Sequence, residues 1–144
     1  MKQVQKTFTM SAKRIFHILM HFALIIQLNS CFLKQDRTTT VYGTITDQNG
    51  EAVDSILMIM QGSKHINYEN LGKAYTDSTG HYELVADVPR KAHSVNVLIP
   101  FSSNKKFQNG FKDYIVSKNE IKTMNCCNLD IGKKTKYDFQ LIPR

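Results

Sequence analysis

The sequence predicts an all-β sandwich, and three observations carry that expectation. Side chains alternate at a period of two through Val41-Tyr42-Gly43-Thr44-Ile45-Thr46, the pattern of a strand with one face buried and one wet. Asp47-Gln48-Asn49-Gly50 follows with residues that cap a turn or accept positive φ, and Val53 to Met60 resumes an extended pattern, so the stretch reads as a hairpin. The arrangement recurs where Ala74-Tyr75-Thr76 meets Asp77-Ser78-Thr79-Gly80 and resumes as His81-Tyr82-Glu83-Leu84, and two strand-turn-strand units so close together point to a sandwich. Asp47, Gly50, Asp77 and Gly80 are the turn-forming residues of this reading.

With 144 residues and 42% hydrophobic content, the chain has room for one modest core once a leader is removed. Its formal charge of +7 is misleading, because Lys2, Lys6, Lys13 and Arg14 all precede residue 31, where there are no acids. The remainder holds 15 basic against 12 acidic residues, a net +3 that gives no argument for nucleic acid as a partner. Lys105-Lys106 and Lys133-Lys134 read as solvated loop charges.

The leader is legible in the first 30 residues. Ile15 to Leu28 is apolar apart from His17, His21 and Gln27, and its 14 residues suit the core of a secretory signal. A membrane-spanning helix needs about 20. Leu28-Asn29-Ser30-Cys31 follows directly and resembles the bacterial lipoprotein signal. The resemblance implies cleavage between Ser30 and Cys31, a diacylglyceryl group on the Cys31 thiol and acylation of the new amino terminus. More than one acyl chain is what stable anchoring takes, since each buried methylene contributes about 0.8 kcal/mol. An ordinary cleaved signal peptide, or an uncleaved anchor helix, is the alternative. Phe32 is not an acidic retention residue, which favours transfer to the outer membrane. The organisation expected is a lipoprotein signal peptide over 1–30, a polar tether over 31–38 and a sandwich over 39–144.

Within the sandwich, the first strand is expected over roughly Thr39 to Thr46. In the second, Ile56, Met58 and Met60 share one face and Leu57 and Ile59 the other, which marks a central strand whose methionines fill core rather than bind metal. Gln61 to Leu71 has a loop composition, with His65 as a solvated side chain. Gly72 to Thr76 and His81 to Ala86 read as a second hairpin, closed at Asp87-Val88-Pro89-Arg90 because Pro89 has no N–H for a ladder. Val95, Val97 and Ile99 mark another strand and Tyr114-Ile115-Val116 a short one. Phe101 to Lys112 reads as loop, and Lys118 to Met124 as a helical turn or connection. Tyr137, Phe139 and Leu141 alternate with polar residues as the closing strand.

The run G-T-I-T-D-Q-N-G-E-A-V, then A-Y-T-D-S-T-G-H-Y-E-L, then A-D-V-P, resembles the carboxypeptidase regulatory-like family of transthyretin-like sandwiches over about residues 40–100. Gly43, the Asp47 to Gly50 turn, Thr76-Asp77, Gly80 and Tyr82 carry the likeness. Ala52 stands where that family usually has proline, and Arg90-Lys91 replaces the usual glycine. The resemblance implies a Greek-key β-sandwich of about seven strands, non-catalytic in character, of a kind found in envelope lipoproteins and on outer-membrane nutrient transporters.

Chemistry-bearing residues are few. Cys126 and Cys127 lack a nearby pair of histidines and make no known metal spacing, so one buried and one exposed thiol is expected, with a redox switch or crosslinking as the functional reading. Asp47, Asn49, Asp77 and Asp87 could offer oxygen to calcium, but turn-forming Asp and Asn do the same work without metal. The transthyretin-like hydrolase of 5-hydroxyisourate ends in a Tyr-Arg-Gly-Ser motif, whereas this chain has Tyr137-Asp138-Phe139-Gln140, and His81 and His93 have no matching arginine. The expectation is therefore a non-enzyme, with no metal and no cofactor beyond the lipid on Cys31. It is anchored in the bacterial envelope and binds an envelope protein or glycan through loops or a sheet edge, with a link to nutrient uptake. A small secreted hydrolase and a structural spacer are the rivals.

Overall fold

The computed structural model describes Asp36–Arg144, together with Lys13, Ile15, His17, Met20 and His21, which are helical. The other positions of the expected leader, the expected cleavage point at Ser30 and the expected lipid attachment at Cys31 lie outside the described residues. Nine strands form two sheets: β1 (Thr38–Thr46), β2 (Leu57–Lys64), β3 (Asn67–Tyr75), β4 (His81–Asp87), β5 (Ser94–Leu98), β6 (Phe111–Lys118), β7 (Ile121–Thr123), β8 (Asn128–Leu129) and β9 (Lys134–Pro143). One sheet has the order β4-β1-β9-β6-β7 and the other β3-β2-β5-β8. The all-β, two-sheet architecture is as the alternation of the sequence leads one to expect, with nine strands among the described residues where about seven were expected.

The core lies between the sheets, and the period-two pattern fills it. Val41 and Ile45 of β1, Tyr82 and Leu84 of β4, and Tyr137, Phe139 and Leu141 of β9 meet Met58 and Met60 of β2 and Val95 and Val97 of β5 in one buried cluster. The two methionines are core filling, and β2 is central in its sheet, with Leu57 and Ile59 buried on its outer face as well.

The turns join different partners from those the sequence suggested. Neither Asp47–Gly50 nor Asp77–Gly80 closes a hairpin: β1 pairs with β4 and β9, and β2 with β3 and β5. After Asp47–Gly50 the chain makes a single bridge, Thr46 to Ala52, and then crosses to the other sheet. The buried Thr76 hydroxyl holds that crossing, donating to Val53 O at 2.8 Å and accepting from Ile56 N at 2.9 Å. Turn chemistry reports that the chain reverses and says nothing of which sheet receives it.

The loop expected over Gln61 to Leu71 is the real hairpin. β2 and β3 pair from Leu57–Tyr75 to Lys64–Asn67, with a register shift at Met60/Gln61 and His65 at φ 57° in the tip. Its Asn, Glu, Lys and Gly residues are poor strand formers, and pairing along β2 overrides that preference. The expected loop Phe101 to Lys112 contains a 3-10 turn, Phe101–Ser103, and a helix, Lys105–Gly110, before β6 begins at Phe111. Asn104 caps the helix by accepting from Phe107 N at 3.1 Å, and Phe107 is buried. Lys118 to Met124 is neither helix nor plain connection. β6 turns into β7 through Asn119 and Glu120, at φ 49° and 71°, the two-residue turn that matches strand twist.

β1 begins at Thr38, and Arg37 donates from its guanidinium to Val88 O, Pro89 O and Ala92 O at 2.9, 3.1 and 3.0 Å. Residues 37 and 38, expected in the tether, thus belong to the sandwich.

Candidate functional site

The two aspartate turns are built alike. Asp47 Oδ1 accepts from Asn49 N at 2.8 Å and Glu51 N at 2.9 Å, and Gly50 sits at φ 83°. Asp77 Oδ1 accepts from Thr79 N at 2.8 Å, Thr79 Oγ1 at 2.7 Å and His81 N at 3.0 Å, and Gly80 sits at φ 72°. The Thr79 hydroxyl first, then the backbone N–H groups of His81 and Thr79, hold the Asp77 carboxyl below its ordinary pKa. Both carboxylates are occupied with their own turns. Among the described residues no three His, Cys, Asp or Glu side chains converge.

Cys126 is exposed and Cys127 buried, and their sulfurs are joined as a vicinal disulfide, where two separate thiols were expected. Cys126 borders a depression of about 440 Å³ with Tyr114, Val116, Lys122 and Met124. His65 and His93, which looked unrelated in sequence, meet edge to face with centroids 5.9 Å apart beside the β2–β3 tip.

That hairpin carries two of the sandwich's exposed large apolar side chains, as the β6–β7 hairpin does with Ile121 and Met124. Ile66 is 87% exposed and Tyr68 67% exposed. A cleft of about 260 Å³ lies along it, lined among others by Ser63, Lys64, Asn67, Tyr68, Glu69 and Lys91. The Lys91–Glu69 ion pair, 2.7 Å long, spans the cleft in water and adds little stability. β3 is also an edge strand, its second side unpaired by any described strand.

The outer face of the four-stranded sheet carries a pattern that only the register reveals. Residues directly opposite in an antiparallel pair share a face. Asn128 faces Asn96, Asn96 faces Gln61 and Gln61 faces Asn70, so one row of side-chain amides crosses all four strands. Gln61 Nε2 donates to Asn70 Oδ1 at 2.9 Å. On one side of the row stand Ser94, Ser63 and Tyr68, with the serine hydroxyls 2.6 Å apart. On the other stand Leu98, Ile59 and Lys73. The row escaped sequence reasoning because its members are 32 residues apart at the nearest cross-sheet neighbour on β8, and Gln61 and Asn70 sat in the segment read as loop.

Fold and surface together define a class: a two-sheet β-sandwich presenting an exposed hairpin, an open edge and a polar sheet face. Nothing more particular comes from known proteins. No family model and no curated protein matches the chain. A crystal structure of a 9R-lipoxygenase from Cyanothece PCC8801 is similar over 72% of this chain and 16% of that one, at 12% identity and a TM-score of 0.34, a likeness too slight to carry an argument.

Proposed function

We propose that the chain is a non-catalytic, lipid-anchored module of the bacterial envelope that binds a protein or glycan partner, in the service of nutrient uptake at the outer membrane. The sandwich is of the transthyretin-like Greek-key type, related to carboxypeptidase regulatory-like domains. The leader is a signal helix cut behind Ser30, and Cys31 carries the lipid. Recognition rests on one observation: the β2–β3 hairpin sets Ile66 and Tyr68 in water beside a cleft, while the carboxylates of Asp47 and Asp77 are committed to turns. Large apolar side chains held out on a paired hairpin favour contact with another molecule.

Palmitate labelling of cells expressing the chain tests the anchor. Label is expected on the wild type and absent from Cys31→Ser, with the variant released from the membrane fraction. Equal labelling of both would overturn the anchor.

A further inference from the structure

We propose that the outer face of the four-stranded sheet binds an extended, neutral, β-1,4-linked hexose chain along the amide row Asn128–Asn96–Gln61–Asn70. The proposal rests on the reading that this chain recognises a ligand without transforming it, and it gives that ligand a chemical class.

The chemistry of the row selects the class. A side-chain amide offers both a donor and an acceptor, which is what vicinal sugar hydroxyls demand, and it offers them without charge. The Gln61–Asn70 bond uses one Gln61 N–H and the Asn70 carbonyl oxygen, and leaves the Gln61 carbonyl oxygen, its second N–H and both Asn70 N–H groups for a ligand. The Asn96 and Asn128 side chains make no hydrogen bond to another described residue and so have their full capacity for a ligand. Across the rows just described, Lys73 carries the one charge among the described residues. An acidic polymer would find little to neutralise it there.

Geometry selects the shape. Strands in a sheet lie about 4.8 Å apart, so the three steps of the row span about 14 Å. Each step is close to the rise of one hexose in a ribbon-like chain, which lets successive sugars meet successive strands. A helical α-linked chain would not keep that step from strand to strand. Sugars also present an apolar C–H face. The half-buried Leu98 flanks the row on one side with the buried Ile59 beside it, and the exposed Tyr68 ring stands on the other side as the larger apolar face. A shallow depression of about 310 Å³, lined by Ile59, Asn70, Leu71, Gly72 and Lys73, opens at the register shift of β3, where the row ends.

Isothermal titration of the full-length chain in detergent micelles tests this, with four hexasaccharides: cellohexaose, β-1,4-mannohexaose, the α-linked maltohexaose and an acidic oligogalacturonide. Saturable binding of at least one β-1,4 hexasaccharide is expected, with at least tenfold weaker binding of the α-linked and acidic ones. Asn96→Ala and Gln61→Ala are each expected to weaken it about tenfold, since each removes hydrogen bonds to the ligand. Tyr68→Ala is expected to do the same by removing a stacking face. Val85→Ala, on the outer face of the other sheet, is expected to change nothing. Thermal melts of all variants establish that they fold. Failure of both β-1,4 hexasaccharides to bind overturns the proposal, as does undiminished affinity in well-folded Asn96→Ala and Gln61→Ala, or preference for the acidic oligomer. A protein crosslinked through Tyr68 with no oligosaccharide bound would overturn the glycan and leave the binding-module reading standing. Cleavage of a hexasaccharide during titration would overturn the binding-module reading itself.

Discussion

Tyr82 and Gly43 face each other across β1 and β4, and their sizes are matched by necessity. A Cβ on Gly43 would sit 1.8 Å from the backbone oxygen of Tyr137, and that same oxygen accepts the Tyr82 hydroxyl at 2.8 Å. Burial first, and the nearby Asp138 charge second, push the Tyr82 hydroxyl far above its ordinary pKa, which favours its protonated, donating form. Tyr82→Phe keeps the ring and deletes the donor, which strands a buried carbonyl at a cost of about 1–3 kcal/mol. Urea denaturation of the variant is expected to show a lower midpoint at an unchanged slope. At Asp77 the consequence is a pH dependence. Its carboxyl has a lowered folded pKa, so its contribution is complete above the ordinary carboxylate value of 3.8 and is lost as pH falls through the folded value. Asp77→Asn is expected to flatten the acid limb of a stability–pH curve while leaving its neutral plateau slightly lower. A variant curve parallel to the wild type down to the acid end would contradict this. The residue-scale features were partly readable beforehand. Gly43, Gly50 and Gly80 stood out, whereas the Asp138 carboxylate, which accepts from Thr44 N at 2.9 Å and Thr44 Oγ1 at 3.0 Å, gave no sign.

Among the elements, β9 has the greatest consequence for stability. It lies between β1 and β6, parallel to the first and antiparallel to the second, and it buries Tyr137, Phe139 and Leu141. Each such side chain contributes about 1.5–3 kcal/mol by burial, and a domain's whole margin is commonly 5–15 kcal/mol. Removal of residues 134–144 is therefore expected to abolish the cooperative melt and the strand signal in far-ultraviolet circular dichroism, rather than to lower the midpoint by a few degrees. A folded truncated protein would mean that the sheets cohere without their central strand. The strong alternation of Tyr137, Phe139 and Leu141 made β9 visible in sequence. Of β3 only the end from Gly72 was legible as strand, and Asn67 to Leu71 read as loop, because an edge strand facing water on most positions looks like a loop until its partner is known.

On the scale of the whole molecule, alternation and turn chemistry fixed the class of fold, and pairing partners escaped because they depend on contacts distant in sequence. Thr44 pairs through its side chain with Asp138 and Gln61 lies opposite Asn96, separations at which a one-dimensional pattern has least to say. The amide row is of the same origin: four ordinary polar residues acquire a common direction only when β2, β3, β5 and β8 are laid side by side.

The parallel placement of β1 beside β9 also governs how the body bears load. Tension applied between the segment entering at Thr38 and whatever leaves at the far end of β9 runs along both strands in opposite senses, so the bonds from Thr40–Lys134 to Thr46–Gln140 are strained together. Such a joint gives way by wholesale sliding and not by peeling.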